Sequence, residues 1–426
     1  MMDRWLGEGP ALSELASVVA DRRERKGSIA IVIPTFRKKA LVSEHLRRLS
    51  SQTEKDFDVV IVYGPGDEIV EAPEGLNVVH MMANGDYGSA GGFYCGEGFA
   101  MEQGYEKVIL ADDDCLPESD DLVRMLSAGL DEGAALVVPK IAGYADEAPA
   151  PSCLPPQYGC VKGSVLRQVG LTYLPFYFGG EDLEIYRRIA GSGDVAYADA
   201  VASHHPLQSL FMTSLERIFY YDRGGLLAGY LSGSALRSFG GNFFFLYGSA
   251  AFWFIDRRIS SVLFDAVAAA ASMGFSRSRH GRTVPAQPCQ AAGHDAIPIR
   301  NSEPGTIQMG DYRYLAILAD KVARLAGGTL KAAGAFGKDV RFSRKVGVGN
   351  LPVLLSARRC FLEVDGKTYK VADNPRYYLA PLEGALLIAA FPAMASLAAV
   401  FTCAGFFAKW IRRIDTYGYG VKARRG

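Results

Sequence analysis

Three adjacent carboxylates, Asp112, Asp113 and Asp114, close the apolar run Lys107–Ala111. At a strand end such neighbours repel one another, burial sharpens the repulsion, and a divalent cation is the simplest compensation. In an extended segment alternate side chains share a face, so Asp112 and Asp114 are expected to reach one ion while Asp113 points elsewhere. Carboxylate oxygens suit Mg2+ or Mn2+, ions that commonly also hold substrate phosphates. A solvated acidic turn is the other reading of the triplet. A second acidic set, Glu181, Asp182 and Glu184, follows the aromatic run Tyr173–Phe178 and two glycines. It opens the helical segment Leu183–Ala190. A carboxylate in an aromatic pocket can act as a general base with a raised pKa. Acidic residues at a helix start are also ordinary caps.

Two further segments could carry ligands. Asn84-Gly85-Asp86-Tyr87-Gly88-Ser89-Ala90-Gly91-Gly92 follows an apolar run. Its glycines allow close backbone approach to a ligand, and a helix N-terminus after it favours an anion, although a plain turn and helix start would look the same. His204-His205 follows the strand-like Asp194–Val201. Beside an acidic metal site one of them becomes a third ligand; alone, such a pair is more often structural. Asp365-Gly366-Lys367-Thr368 imitates the end of a P-loop, but position 361 is Phe where a glycine is required. No GxGxxG follows any strand, which leaves a dinucleotide dehydrogenase unsupported.

The elements that must position these residues are legible in the apolar pattern. Ser28–Ile33 is a continuous β-type run, followed by Phe57–Tyr63, Asn77–Met82, Lys107–Ala111 and Ala135–Ile141. Unbroken runs suit strands buried on both faces, as in parallel sheets. Lys39–Gln52 between two of them carries Leu41, Val42, His45, Leu46 and Leu49 on one helical face. Alternating strands and helices predict an open α/β sheet with its ligand site at the carboxyl ends of the strands, where the unusual residues stand. Residues 1–27 read as a short amphipathic helix and a charged connector. Beyond residue 230 the chain turns aromatic and Ala-rich and is expected to be mainly helical, with a long loop at about 276–312 and a hairpin at Arg359–Val371 around Asp365-Gly366.

The bulk properties narrow the function. The 426 residues, 49% hydrophobic and 22% charged, can bury a sizeable core. A formal net charge of zero argues against a nucleic-acid partner. Seven scattered cysteines without a CxxC pair read as reduced structural thiols. No apolar stretch with a small-residue cleavage site marks the start, so no signal peptide is expected.

Taken together and in order, these segments resemble the family 2 inverting glycosyltransferases of the GT-A fold, from about Ile29 to Leu227. The matching pieces are Ile33-Pro34-Thr35-Phe36, Gln52-Thr53, Asn84 with Gly88, Gly91 and Gly92, and Asp112-Asp113-Asp114 with Pro117. They continue through Gly163, Gly170, Phe178, Glu181-Asp182, Arg188, Gly193, His204 and Tyr220-Tyr221-x-Arg223. The glycine-rich loop, the late histidine and the Tyr-Tyr-x-Arg segment look most like the galactofuranosyl- and rhamnosyltransferase branch.

The resemblance implies a GT-A type, open and mostly parallel sheet flanked by helices over residues 28–230, with a C-terminal region at 231–426. It implies that Pro34, Thr35 and Arg37 line the nucleotide pocket, with Asn84, Gly91, Gly92 and Asp113 near the nucleotide and sugar. Asp112, Asp114 and His204 would hold Mn2+ or Mg2+, and Asp182, with Glu181 beside it, would deprotonate the acceptor hydroxyl. The expected reaction is inverting transfer of a sugar from a nucleotide-diphosphate donor, UDP favoured and dTDP next, to a cell-surface polysaccharide or glycolipid. The sequence departs from the family where Arg37 replaces a common Asn, where Tyr63-Gly64-Pro65-Gly66-Asp67 replaces Asp-Asn-Gly-Ser, and where Arg223 is followed by Gly224. A sugar nucleotidyltransferase would carry a Gly-rich basic loop where Pro34-Thr35-Phe36 stands. A non-catalytic glycan- or lipid-binding relative would not need the intact set Asp112, Asp114 and Asp182.

Gly384–Ala408 is 25 residues without a charge, interrupted by Pro392, and a tail with six Lys/Arg against one Asp follows from Lys409. It is long enough to span a bilayer. A single span with its basic tail inside would place the enzyme outside, away from cytosolic nucleotide sugars. A surface-embedded or hairpin-like helix at the inner face of the cell membrane is the expectation, with a buried core helix as the alternative. Residues 231–426 are open to roles in acceptor choice, homo-oligomer assembly or membrane docking.

Overall fold

The apolar runs form strands because they are covered on both faces. In the computed structural model β2 (Ile29–Thr35) is buried along nearly its whole length. Its Ile29, Ile31 and Ile33 join one core cluster with Val42, Leu46 and Leu49 of α1 (Lys39–Ser50) and Leu122, Val123, Leu126 and Leu130 of α3 (Leu122–Asp131). Its Val32 and Pro34 meet α2 (Gly88–Gln103), whose glycines let the helix lie against the sheet. A methyl group at Gly96 would stand 2.2 Å from Val32 Cγ1, and one at Gly92 2.4 Å from Pro34 Cβ. Such overpacking costs about 1–3 kcal/mol.

The structure describes residues 9–142, 158–204, 215–253, 257–281, 297–299, 335–343, 353, 356–364, 367–373, 380–417 and 419–421. The chain divides into two compact units, one of Met1–Leu207 with Arg412–Gly426 and the other of Gln208–Ile411.

The first unit is built on a nine-stranded sheet ordered β1-β4-β3-β2-β5-β8-β7-β9-β6. The remaining strands are β1 (Ala16–Asp21), β3 (Phe57–Tyr63), β4 (Val78–Ala83), β5 (Lys107–Ala111), β6 (Cys115–Pro117), β7 (Leu136–Ala142), β8 (Tyr158–Lys162) and β9 (Val195–His204). The central strands β4-β3-β2-β5 run parallel. Antiparallel pairings to β1, β8 and β6 extend the sheet at both sides, so it is mixed beyond its centre. The expected α/β architecture, with helices between strands, is what the chain adopts. Two shorter helices, α4 (Gly163–Val169) and α5 (Glu181–Ala190), complete this unit.

Its N-terminal segment departs from the expected helix. Leu12–Glu14 makes a single tight turn, and Ala16–Asp21 pairs antiparallel with β4, Ala16 opposite Ala83. The β-branched pair Val18-Val19 and the open edge of β4 outweigh the helical periodicity, because an unpaired edge offers a full row of backbone partners. Residues 1–8 lie outside the described residues.

The C-terminal segment returns to the same unit. The Leu171 N–H donates to Tyr419 O at 2.9 Å. The Tyr419 ring packs edge-on against Tyr94 and Tyr173, centroids 5.7 and 5.1 Å away. Tyr94 O–H donates to Pro10 O at 2.6 Å, so both ends of the described chain meet at one tyrosine.

The second unit contains α6 (Leu215–Leu231), α7 (Ala235–Phe252), α8 (Arg257–Ala271) and α9 (Ala380–Ile411). Tyr230, Asn242 and Thr402 form a buried polar knot: Asn242 Nδ2 donates to Tyr230 Oη at 2.7 Å and to Thr402 Oγ1 at 3.0 Å. Tyr220 and Arg223 lie on α6 and hold the segment after α8, through Ser278 N–H on Tyr220 Oη and Arg223 Nη2 on Gly274 O. The unit is not helical throughout. It carries a four-stranded sheet of β10 (Ile297–Ile299), β11 (Asp339–Ser343), β12 (Arg359–Val364) and β13 (Lys367–Asp373). β12 and β13 pair antiparallel as the expected hairpin, while Asp365 and Gly366 and most of the loop placed at 276–312 lie outside the described residues.

The uncharged stretch Gly384–Ala408 makes up most of α9, which continues through Pro392. Its Ala389–Ile411 portion is long and apolar enough to cross a membrane, with mean hydropathy 1.7 and 17% of it buried. Phe391, Val400, Phe407 and Trp410 are 51%, 61%, 60% and 73% exposed.

Candidate functional site

Three loops of the first unit bring the acidic residues together: the exits of β2 and β5, and the entry to α5. β2 ends at Thr35, and the chain then passes Arg37 in the left-handed region at φ 57. Asp67 Oδ2 fixes that turn by accepting the Arg37 N–H at 2.9 Å. Asp67 belongs to the loop Tyr63–Asp67 in which the sequence departs from the resembled family. The Arg37 guanidinium lies over the Phe36 ring, 4.8 Å from its centroid.

β5 ends at Ala111 and delivers the acidic triplet. The expected alternation of its side chains is not observed. Asp112–Asp114 is a turn closed by the Cys115 N–H on Asp112 O at 3.1 Å, so a two-residue repeat does not apply. Asp113 and Asp114 instead share one ammonium. Lys38 Nζ donates to Asp113 Oδ1 at 2.8 Å and to Asp114 Oδ2 at 2.9 Å, and Thr35 Oγ1 donates to Asp113 Oδ2 at 2.9 Å. Burial alone would lower the Lys38 ammonium, but the two carboxylates outweigh it and hold it above its usual value. Burial raises the Asp113 carboxyl, and Lys38 and Thr35 offset only part of this.

The Asp112 carboxylate accepts no hydrogen bond or ion pair among the described residues. Burial pushes its carboxyl well up, and the charges of Asp182, Asp114, Asp113 and Glu181 push it further. An anionic group so placed calls for a cation.

α5 begins where Gly179 and Gly180, at φ 80 and 88, turn the chain through a conformation closed to most side chains. Glu181 is buried, with Ser89 Oγ donating to its Oε1 and no partner at Oε2. Asp182 is half-buried, and its Oδ1 accepts the Leu183 N–H at 2.6 Å. Burial raises both carboxyls, and the charge of Asp182 adds to the rise at Glu181.

The glycine-rich loop is locked to this turn. A Cβ at Gly88, φ 65, would stand 2.0 Å from Tyr177 O, so no larger residue fits there. Tyr177 Oη donates to Asp86 Oδ2 at 2.8 Å, and Ala90 N–H to Tyr177 O at 3.1 Å. Gly92 lies on Pro34 and Gly91 on Tyr87, while Asn84 Nδ2 reaches back to Glu14 O at 2.7 Å. These contacts are made within the protein.

The far face of α5 is fixed by Arg188. It pairs with Glu184 at 2.8 Å and donates to Val169 O at 2.6 Å, Gly170 O at 3.0 Å, Leu171 O at 2.9 Å and Thr416 O at 3.3 Å. β9 runs antiparallel to β6 with His204 opposite Cys115, which sets the histidine's backbone beside the acidic turn; His205 lies outside the described residues.

Sequence reasoning passed over Lys38 and Ser89. A lysine three residues beyond a strand-end Thr was the available signal for the first, and a hydroxyl at a helix start for the second. The site fits a divalent cation in its donor chemistry: all-oxygen carboxylates, one of them without a partner. Among the described residues no group of three or more His, Cys, Asp and Glu side chains is arranged to hold one.

The sequence matches no family model and no curated protein. Among solved structures, a mannosyltransferase from Pyrobaculum calidifontis with GDP-Man and Mn2+ is 14% identical, covering 60% of this chain and 78% of its own, at a TM-score of 0.38. S. aureus TarS with UDP-GlcNAc is 13% identical over 59% of this chain and 82% of its own, at 0.40. Glucosyl-3-phosphoglycerate synthase from Mycobacterium tuberculosis with phosphoglyceric acid is 12% identical over 49% and 80%, at 0.34.

Proposed function

We propose that the first unit is an inverting, nucleotide-sugar-dependent glycosyltransferase. The observation that carries this reading is the convergence of an unpartnered Asp112 with Glu181 and Asp182 at the carboxyl edge of parallel strands. Such an edge is where open α/β sheets bind their ligands.

Asp112 and Asp114 would hold a divalent cation, with the backbone position of His204 in support. Such an ion neutralises charge on a departing diphosphate. Pro34, Thr35 and Arg37 form the rim where a nucleotide would lie, with Asn84, Gly91, Gly92 and Asp113 shaping its neighbourhood. Asp182 is the base. Its Oδ1 is held by the Leu183 N–H, leaving Oδ2 to take the proton of an acceptor hydroxyl as that oxygen attacks the anomeric carbon. Attack opposite the leaving group inverts the centre. A galactofuranose or rhamnose type donor on UDP, or failing that dTDP, is the reading the sequence resemblance favours.

Nucleotide binding tests this directly. The purified protein is expected to melt later with one of UDP, dTDP or GDP plus Mn2+, and to lose the shift in EDTA. At about 100 times the dissociation constant the gain is about 2.7 kcal/mol. No shift with any nucleotide would sink the proposal.

We further propose that α9 places the protein at the inner face of the cell membrane, where a lipid-linked glycan would be the acceptor. The exposed apolar side chains of Ala389–Ile411 and the basic residues Lys409, Arg412 and Arg413 support it. The protein is expected to sediment with membranes and to need detergent for release. Recovery in the supernatant at low salt would exclude this placement.

A further inference from the structure

Lys38 is the residue immediately before α1, and its side chain crosses the mouth of the acidic turn. Its ammonium has three donors. Two go to Asp113 and Asp114, and the third has no partner among the described residues. The lysine side chain is 35% exposed, against 9% and 5% for the two carboxylates, so it caps a buried anionic pair. Thr35 holds Asp113 from the other side. Asp112 is without a hydrogen-bond or ion-pair partner close by among the described residues, and Glu181 Oε2 is buried without a partner. One position therefore carries a fixed positive charge where a divalent ion would bind Asp114, beside a position that lacks any.

We propose that Lys38 is a tethered counter-ion of the nucleotide site: it occupies Asp113 and Asp114 in the ligand-free protein, keeps a free divalent ion from Asp114, and passes to a diphosphate oxygen when nucleotide and ion bind together. The lysine stem has the rotatable length for such a transfer, and an ammonium is a phosphate ligand as readily as a carboxylate partner. Metal entry is thereby made dependent on the nucleotide. The hand-over rests on the glycosyltransferase reading above; the occupation of Asp114 does not.

The test is Mn2+ titration without nucleotide, followed by the electron paramagnetic resonance of free Mn2+, for the wild-type protein, Lys38→Met and Lys38→Arg. Removing a positive charge next to the carboxylates is expected to tighten Mn2+ about tenfold in Lys38→Met, while Lys38→Arg, which keeps the charge, stays within about twofold of wild type. An unchanged or weaker Mn2+ affinity in Lys38→Met overturns the counter-ion role. Should Lys38→Met not fold, Lys38→Gln carries the same expectation with a neutral donor in place. UDP titration at saturating Mn2+ then addresses the hand-over: Lys38→Met is expected to bind about tenfold more weakly than wild type, and equal affinity overturns that step. If neither protein binds any nucleotide under any condition, the glycosyltransferase reading fails, and the Mn2+ comparison still decides the role of Lys38.

Discussion

Asp182→Asn is expected to lower the rate of sugar transfer by about 10²–10⁴-fold while leaving the nucleotide-dependent thermal shift in place. The substitution is nearly isosteric, and the asparagine oxygen can still accept the Leu183 N–H that orients Asp182 Oδ1. Stability should therefore change little. What disappears is the ability of Oδ2 to accept a proton. Because burial raises the Asp182 carboxyl, wild-type transfer should rise with pH along an acid limb placed above the ordinary aspartate value of about 3.9. The sign follows from the proposed role: a base works only when deprotonated, so activity is lost as pH falls through its raised pKa. In Asp182→Asn the residual rate should lack that limb. Kinetics of the variant equal to wild type would remove Asp182 from the reaction and turn attention to Glu181.

The second large effect concerns stability. Arg188→Met should destabilise the first unit by about 3–5 kcal/mol, because it strands Glu184 as a buried charge and removes the donors of four backbone carbonyls. Those carbonyls belong to the segment Val169–Leu171 and to Thr416, so the loss is local before it is global. Hydrogen exchange should accelerate most at Leu171 and Tyr419, whose amides donate within that region. The double change Glu184→Gln with Arg188→Met should recover part of the stability, since no charge is then left unpaired. Exchange rates at Leu171 and Tyr419 equal to those of the wild-type protein would show that the arginine is dispensable.

The sequence made the carboxyl ends of β2 and β5 legible because their apolar runs stop abruptly, at Pro34 and at Asp112. The start of α5 was legible for the same reason, being marked by paired glycines and acidic residues. What could not be read were features fixed by partners far along the chain. Ala16–Asp21 becomes a strand only because β4 offers an edge. The bridging of Asp113 and Asp114 depends on a lysine some 75 positions earlier. β10 is only three residues long and β11 is mixed in polarity, and both gain their conformation from neighbours in the sheet. The return of residues 412–421 to the first unit carries no local signature at all.

That return also has a consequence for biosynthesis. The cradle of Arg188 and the aromatic contacts of Tyr94 and Tyr173 include Thr416 and Tyr419, which leave the ribosome only after the roughly 200 residues of Gln208–Ile411 have been translated. At about 5–20 residues per second, that is an interval of about 10–40 s. Throughout it the nascent sheet already carries its acidic strand ends while α5 lacks part of its anchorage. The emerging chain thus completes the apolar helix α9 before the first unit is locked, so the last contacts of that unit form only after the second unit has been translated.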